Sequence, residues 1–387
     1  MWQGDVDSAY LNAKRKIKQY IRNIEGFDYG MYRVDQALYV RSCLYFYTKN
    51  SDIAFALIYV EDVVCTSNSE QFKCRLFSAL DKKFGFKDMG LLTNYLGIRV
   101  RQTNKETILD QEQYARKILK RFDLEVGYSN KCGIPMETNT KLKKCESIGG
   151  KQCNHETGKV PYREAVGSLM YLATGTRPDL TFVVGQLGRF AEHPTEQHVG
   201  VLKRVKRYLL GTVNKGITYD TRMTCNIGVY LEGHSDSDWV NDLDTRKSTT
   251  GYVFTLMGDA ISWTSRRQTI VAQSTAEAEY VAACEAAIEG KTLMNILDEM
   301  LPEMKRMISL GVDNQSMATN PTFGRRSRHI DLQWHYVREQ VRKNELYMLK
   351  VKSENNPADL FTKPLAKAKF EILSSRIDMR MRPPRSA

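Results

Sequence analysis

Apolar positions along the chain recur with two periods. Residues 53–60 (Ile-Ala-Phe-Ala-Leu-Ile-Tyr-Val) form an apolar run of strand length, followed by Glu61 and Asp62 and then Val63-Val64. An apolar run, an acidic pair and a second apolar run predict a β-hairpin with carboxylates at its turn. Residues 111–123 have helical spacing, with Tyr114, Ile118, Leu119 and Phe122 on one face. Amphipathic helices are also predicted over 162–174 and 196–210. The second carries Lys203, Arg204, Lys206 and Arg207 beside Leu202, Val205 and Leu209, a basic face suited either to solvent or to phosphates. Between these helical stretches, residues 138–160 are rich in Thr, Lys, Asn, Gly and Ser and nearly lack large apolar side chains, which predicts a flexible linker.

From about residue 225 the pattern changes. Short strands are predicted over 226–231, 251–256 and 260–264, with Asp242, Asp244 and Gly258-Asp259 as turn residues. Residues 275–299 are Ala-, Glu- and Leu-rich and predict one long helix. A strand over 307–312 leads to Asp313-Asn314, then helical patterns at 314–320 and 331–343 and a strand over 345–351. This order predicts a layered α/β or α+β domain. There are no internal repeats.

The length of 387 residues suggests two or three domains. Lys and Arg total 57 against 45 Asp and Glu, a net charge of +12, and the pI of about 9.2 suits a polyanionic partner such as nucleic acid. The eight cysteines (Cys43, Cys65, Cys74, Cys132, Cys145, Cys153, Cys225 and Cys284) form no C-x-x-C pair. They are read as reduced thiols of an intracellular protein, cytoplasmic or nuclear. No run of 18 apolar residues predicts a membrane span, and Met1-Trp2-Gln3-Gly4-Asp5 lacks a signal pattern.

Four acidic positions sit where elements begin or end. Asp236 closes the first strand of the second half, Glu279 lies in the first turns of the long helix, Asp313 closes a later strand, and Asp359 opens a short Pro357-Ala358-Asp359 element. Strand ends and helix starts can meet at one sheet edge. Carboxylates gathered there repel one another and are costly to bury, which divalent cations relieve. Mg²⁺ takes a few carboxylates plus water and phosphate oxygens, and two such ions about 3.5–4 Å apart can drive phosphodiester hydrolysis. Spacing alone fits scattered surface acids equally well.

The words around these residues are more specific. Ser235-Asp236-Ser237-Asp238-Trp239, Arg246-Lys247-Ser248-Thr249-Thr250-Gly251-Tyr252-Val253-Phe254, Ile261-Ser262-Trp263, Thr275 to Tyr280, Asp313-Asn314-Gln315-Ser316, Arg328-His329-Ile330-Asp331 and Ala358-Asp359-Leu360-Phe361-Thr362-Lys363-Pro364-Leu365 occur in that order. Together they resemble the ribonuclease H of Ty1/copia-type retrotransposons over about 226–365. The resemblance implies a catalytic, metal-binding set of Asp236, Glu279, Asp313 and Asp359 with two Mg²⁺ or Mn²⁺ ions, acting on RNA–DNA hybrids. Glu277 competes with Glu279 for the helix position, since two residues so spaced cannot share a face. Glu279 is preferred because the Tyr-Val-Ala-Ala after it suits a buried helix. His329 and His335 are candidate helpers near the site, or structural residues.

The first half carries a second resemblance. Asp5-Val6-Asp7-Ser8-Ala9-Tyr10-Leu11-Asn12 and Tyr59-Val60-Glu61-Asp62 are similar to the two catalytic palm motifs of the family's reverse transcriptase, and Phe86 to Gly90, Tyr95 to Ile98, Tyr162 to Leu172 and Thr176 to Leu180 extend the match. The resemblance implies a polymerase site at Asp5, Glu61 and Asp62. Three departures make it a degenerate one: the fingers expected before the first motif are missing, a family segment shrinks to Gln36-Ala37-Leu38-Tyr39-Val40, and Glu61 replaces Asp. The expected organisation is a truncated palm and thumb-like part (1–137), a flexible linker (138–160), a helical connection (161–222), a ribonuclease H-like mixed-sheet domain (223–368) and a basic tail (369–387). The expected function is hybrid hydrolysis by a polyprotein remnant that does not polymerise. The alternative is a non-catalytic nucleic-acid-binding relic.

Overall fold

The structure, a computed structural model, describes residues 1–6, 31–33, 44–49, 52–122, 131–144, 161–222, 228–301, 304–313 and 331–381. They divide into two units, Met1–Leu96 with Asn295–Glu303 and Gly97–Met294 with Met304–Ala387. Outside the described residues lie 7–12 of the first palm motif, Gln36–Val40, the linker from 145 to 160, Asn314–Ser316, His329 and the last six residues.

In the first unit, β1 (Trp2–Val6), β2 (Met31–Arg33), β3 (Leu44–Lys49), β4 (Asp52–Tyr59), β5 (Asp62–Ser67) and β6 (Phe86–Leu91) make one antiparallel sheet in the order β2-β3-β4-β5-β1-β6. Alternation along β4 buries Ala54, Ala56 and Ile58. They share a core with Phe72, Leu76, Phe77 and Leu80 of helix α1 (Glu70–Phe84). That helix starts where the Ser69 hydroxyl accepts the Phe72 N–H at 3.4 Å, and it stops at Gly85, whose φ of 65° lets its N–H close on Asp81 O. The predicted hairpin is β4–β5. Its turn holds Val60 at φ 55°, a left-handed conformation that costs a β-branched residue energy and marks a strained turn.

The second unit begins with hairpin β7 (Ile98–Gln102) and β8 (Glu106–Asp110), followed by α2 (Glu112–Arg121), α3 (Tyr162–Gly175), α4 (Thr181–Gly188) and α5 (Glu196–Gly211). The four helices bury Ile118, Leu169, Leu172, Val183, Leu187, Leu202, Val205 and Leu209 in one cluster. A capping box starts α5: Thr195 N–H donates to His198 Nδ1 at 2.8 Å, and the Thr195 side chain accepts in return. Strand β9 (Gly216–Asp220) pairs with β8.

Inside this helical cluster lies a charged network. Arg177 grips Asp179 through Nε and Nη2, both at 2.9 Å, and bonds the Thr212 carbonyl and hydroxyl. The Tyr208 hydroxyl donates to Asp179 at 2.5 Å, and Lys215 Nζ lies 3.5 Å away. Burial works against ionising Asp179, but Arg177 and Lys215 hold its carboxyl well below the usual carboxylate range.

The mixed sheet follows: β10 (Val229–Asp238), β11 (Thr249–Leu256), β12 (Asp259–Arg267), helix α6 (Thr275–Met300), β13 (Arg306–Val312), α7 (Asp331–Arg342) and β14 (Tyr347–Lys350). Its order is β12-β11-β10-β13-β14. The first two pairings are antiparallel; β10–β13 and β13–β14 are parallel, and each parallel pair has the helical crossover it requires. This is the ribonuclease H-like mixed sheet that the resemblance implies, and the chain as a whole is of mixed α and β class. Strand β10 runs past the predicted 226–231 to Asp238, because its ladder to β11 continues through Ser237↔Thr250 and Asp238↔Thr249. Residues 367–375, divided by the sequence reading between the last domain and the tail, form α8 (Lys367–Ser375), and β15 (Met379–Arg380) pairs with β9. In the described part of the expected linker, the Lys144 N–H donates to Asp244 Oδ2 at 3.0 Å.

Candidate functional site

Gly251 lies opposite Asp236 in the β10–β11 ladder. A Cβ there would stand 2.6 Å from Thr362 Cγ2 and 2.8 Å from Phe361 Cβ. The absent side chain lets the short 3₁₀ helix Pro357–Phe361 lie directly on the strand pair. Asn356 fastens it, donating from Nδ2 to Ser235 O at 2.9 Å and accepting the Ala358 N–H at 3.1 Å. Asp359, Thr362 and Lys363 are thereby carried to Asp236.

Three carboxylates converge at this edge. Asp236 comes from β10, Glu279 from the first turns of α6, and Asp313 from the residue after β13. One oxygen of each lies within 4.8 Å of the others. Glu279 Oε1 is held by the Ser237 N–H at 3.1 Å and hydroxyl at 3.3 Å. Its Oε2 and Asp313 Oδ1 are buried with no hydrogen-bond partner among the described residues. Orphaned buried acceptors are costly, and three carboxylate oxygens meeting at one point are what a hard divalent cation takes. These residues fit such an ion. Glu277 has another place: its Oε2 accepts the Gln273 N–H at 2.8 Å and its own N–H donates to Ser274 Oγ at 3.1 Å, a cap on α6.

Asp359 stands beside this group, not within it. It is fully buried, and the Lys363 ammonium sits between it and Asp236, 2.7 Å from Asp359 Oδ1 and 3.2 Å from Asp236 Oδ2. Lys369 takes Asp359 Oδ2, and the Thr362 hydroxyl donates to Asp236 Oδ2. Ser237, Thr362, Lys363 and Lys369 are not marked as site residues by spacing or residue type in the sequence. Thr362 and Lys363 had a signal, since they fall three and four residues after Asp359 within the same motif.

Burial is the main reason Asp236 and Glu279 resist ionisation. Asp359 adds to it for Asp236, while Asp236 and Asp313 add to it for Glu279, whose pKa is pushed up to about 9. For Lys363, burial disfavours the charge, but Asp236 and Asp359 outweigh it and raise the pKa.

A pH dependence follows. A carboxyl raised from 4.5 to about 9 keeps a proton that the unfolded chain has already lost. Its stabilising effect is complete below the unfolded value and disappears as pH rises through the folded one. Metal-free protein should therefore melt lower near pH 9 than near pH 6, by at least the roughly 2–4 °C that 1 kcal/mol makes in a unit of this size. Millimolar Mg²⁺ and Glu279→Gln should each narrow the gap, with Asp236, raised to about 7, keeping part of it. Melting curves in chelator and in Mg²⁺ check this, and an unchanged melting temperature across that range would contradict it.

The other candidates are placed as follows. Asp5 on β1 pairs in register with Asp62 at the start of β5, and Glu61 lies in the strained turn. The basic residues of α5 are half-buried, and Arg204 pairs with Glu137 at 2.5 Å. His335 lies on α7. No helix among the described residues is long and apolar enough to cross a membrane.

Residues 39–138 match the family of reverse transcriptase (RNA-dependent DNA polymerase). Over 417 aligned residues the chain is 32% identical to the retrovirus-related Pol polyprotein from transposon TNT 1-94 of Nicotiana tabacum, covering 97% of this chain and 31% of that protein. It is 31% identical to the corresponding polyprotein from transposon RE1 of Arabidopsis thaliana, covering 99% of this chain and 28% of that one. The chain thus spans about a third of the length of these relatives. A solved foamy viral protease–reverse transcriptase in complex with double-stranded DNA aligns at 14% identity and a TM-score of 0.42, over 77% of this chain and 55% of that one.

Proposed function

From the premise that the chain belongs to the Ty1/copia-type retrotransposon Pol polyproteins, we propose that its mixed-sheet domain, residues 223–368, is a metal-dependent ribonuclease H that hydrolyses the RNA strand of RNA–DNA hybrids. The observation that carries this reading is the meeting of Asp236, Glu279 and Asp313 within 4.8 Å, with two buried oxygens left unpartnered. These carboxylates would hold Mg²⁺ or Mn²⁺, with Asp359 completing a two-ion set. A divalent ion bound there supplies charge stabilisation at the phosphate and a water more easily deprotonated. Ser237 fixes Glu279 through backbone and hydroxyl, and Thr362 fixes Asp236, so both carboxylates are oriented before any ligand arrives. Lys203, Arg204, Lys206 and Arg207 on α5 are assigned to nucleic-acid phosphates, a sequence-independent contact. The test is incubation of the purified chain with a hybrid labelled on its RNA strand. Metal-dependent cleavage of that strand, with single-stranded RNA of the same sequence spared, is expected. An uncut hybrid in both Mg²⁺ and Mn²⁺ would favour the reading of a non-catalytic nucleic-acid-binding relic.

The palm and thumb-like part, residues 1–137, is not expected to extend primers. Glu61 stands where the family carries Asp, and the extra methylene shifts a ligand in a site that demands near-octahedral geometry. The Val60 conformation leaves that turn little freedom to compensate. With a homopolymer RNA template, a complementary primer and Mg²⁺ or Mn²⁺, no template-dependent product should form. Glu61→Asp should not restore it, because the segment at Gln36–Val40 stays short of the family's length. Template-dependent product from the unmodified chain overturns this expectation.

A further inference from the structure

The two halves of the carboxylate cluster are not equivalent. On one side, Glu279 Oε2 and Asp313 Oδ1 are buried and uncommitted. On the other, cations already stand against the acids: Lys363 Nζ lies 2.7 Å from Asp359 Oδ1 as an ion pair without a hydrogen bond, Lys369 takes Asp359 Oδ2, and Asp236 Oδ2 is shared by Thr362 and Lys363. Two buried carboxylates facing each other are relieved by a retained proton or by a positive charge between them. Here the chain supplies its own. Lys363 lies four residues after Asp359, where the turn following the 3₁₀ helix folds the ammonium back between the two acids. An ammonium carries one charge and three donors, enough to bond both carboxylates but less than the charge of a divalent ion. The Lys363 side chain remains 34% exposed while Asp236 and Asp359 are at 2% and 0%. The Lys363 side chain therefore borders solvent, while the two acids do not.

We propose that Lys363 is a resident cation holding the second ion position, so that the site binds one divalent ion readily on Asp236, Glu279 and Asp313 and admits another between Asp236 and Asp359 only when Lys363 swings out. Lys363 thus sets how many ions the site holds at a given ion concentration. The inference rests on the reading of Asp236, Glu279 and Asp313 as an ion cradle, and the experiment separates the two. An ion that enters only an uncommon arrangement binds more weakly in proportion to its rarity. If Lys363 is out in a tenth of molecules or fewer, the second ion loses about tenfold or more in affinity.

Mn²⁺ binding to the full chain can be counted by the loss of the free-ion paramagnetic resonance signal. The native chain should bind one Mn²⁺, and a second at least about tenfold more weakly. Lys363→Met, of similar length but uncharged, should strengthen the second site by about that factor and leave the first nearly unchanged. Lys363→Gln should act in the same direction, and melting curves verify that both variants fold. Adding Asp359→Asn to Lys363→Met should remove the gained ion. Two equal sites in the native chain, or a second site indifferent to Lys363, overturn the proposal while leaving the cradle intact. Failure of every form to bind Mn²⁺ overturns the cradle, and this inference with it.

Discussion

Asp313→Asn should lower hybrid cleavage by more than about 100-fold, because groups that only orient a ligand already cost roughly 10–100-fold when removed. Asn keeps the shape of Asp but replaces a charged oxygen with an N–H donor aimed at the position of a cation. Asp236→Asn should do at least as much, since Asp236 belongs to both sides of the cluster. The neighbouring pair on α6 gives the sharper contrast. Glu279→Gln should match Asp313→Asn, whereas Glu277→Gln, which touches only the helix cap, should change melting more than turnover. Single-turnover cleavage rates at saturating Mg²⁺ measure all four. Comparable rates for Glu279→Gln and Glu277→Gln would refute the assignment, as would an Asp313→Asn protein within tenfold of native, a difference of only about 1.4 kcal/mol.

Arg177→Met should destabilise the second unit by about 3–5 kcal/mol, the usual result of stripping one partner from a buried ion pair. Arg177 is 1% exposed and Asp179 is 2% exposed, so the orphaned carboxylate cannot reach water. In a unit of this size that loss lowers the melting temperature by roughly 6–20 °C. The double change Arg177→Met with Asp179→Leu should recover most of it, because an apolar pair of similar volume carries no uncompensated charge. Thermal melts of the single and double variants decide the matter. A single variant within about 1 kcal/mol of native would mean that water or a shifted Lys215 already serves Asp179.

Legibility in the sequence followed the kind of surface each element buries. The long helix at 275–299 and the strand at 307–312 were readable because one residue class dominates each, and they appear as Thr275–Met300 and Arg306–Val312. β10 was half-read. Its first residues are apolar, but Ser235, Asp236 and Ser237 are buried polar residues, and hydrophobic periodicity cannot see a strand whose burial serves a site. The hairpin of β7 and β8 is less legible: Ile98–Gln102 and Glu106–Asp110 alternate, but each is only five residues long, at the short end of what such a pattern can mark, and the ion pairs of Arg99 and Arg101 with Asp110 exist only after folding. At the site, the carboxylates could be named from motif words alone. The roles of Ser237 and Lys363 could not, because each depends on a partner at least four residues away whose direction only the fold fixes.

The Thr362 hydroxyl and the Asp236 carboxylate it holds are 126 residues apart in the chain. Contacts across such a span close late, since loop entropy must be overcome before they return any stabilisation. The parallel pairing of Val229 with Arg306 imposes a similar delay. During refolding, helices and local hairpins should therefore form while the cluster is still open. Helical content and catalytic competence would then return on different clocks, and the slower one belongs to the arrival of a single 3₁₀ turn over Gly251.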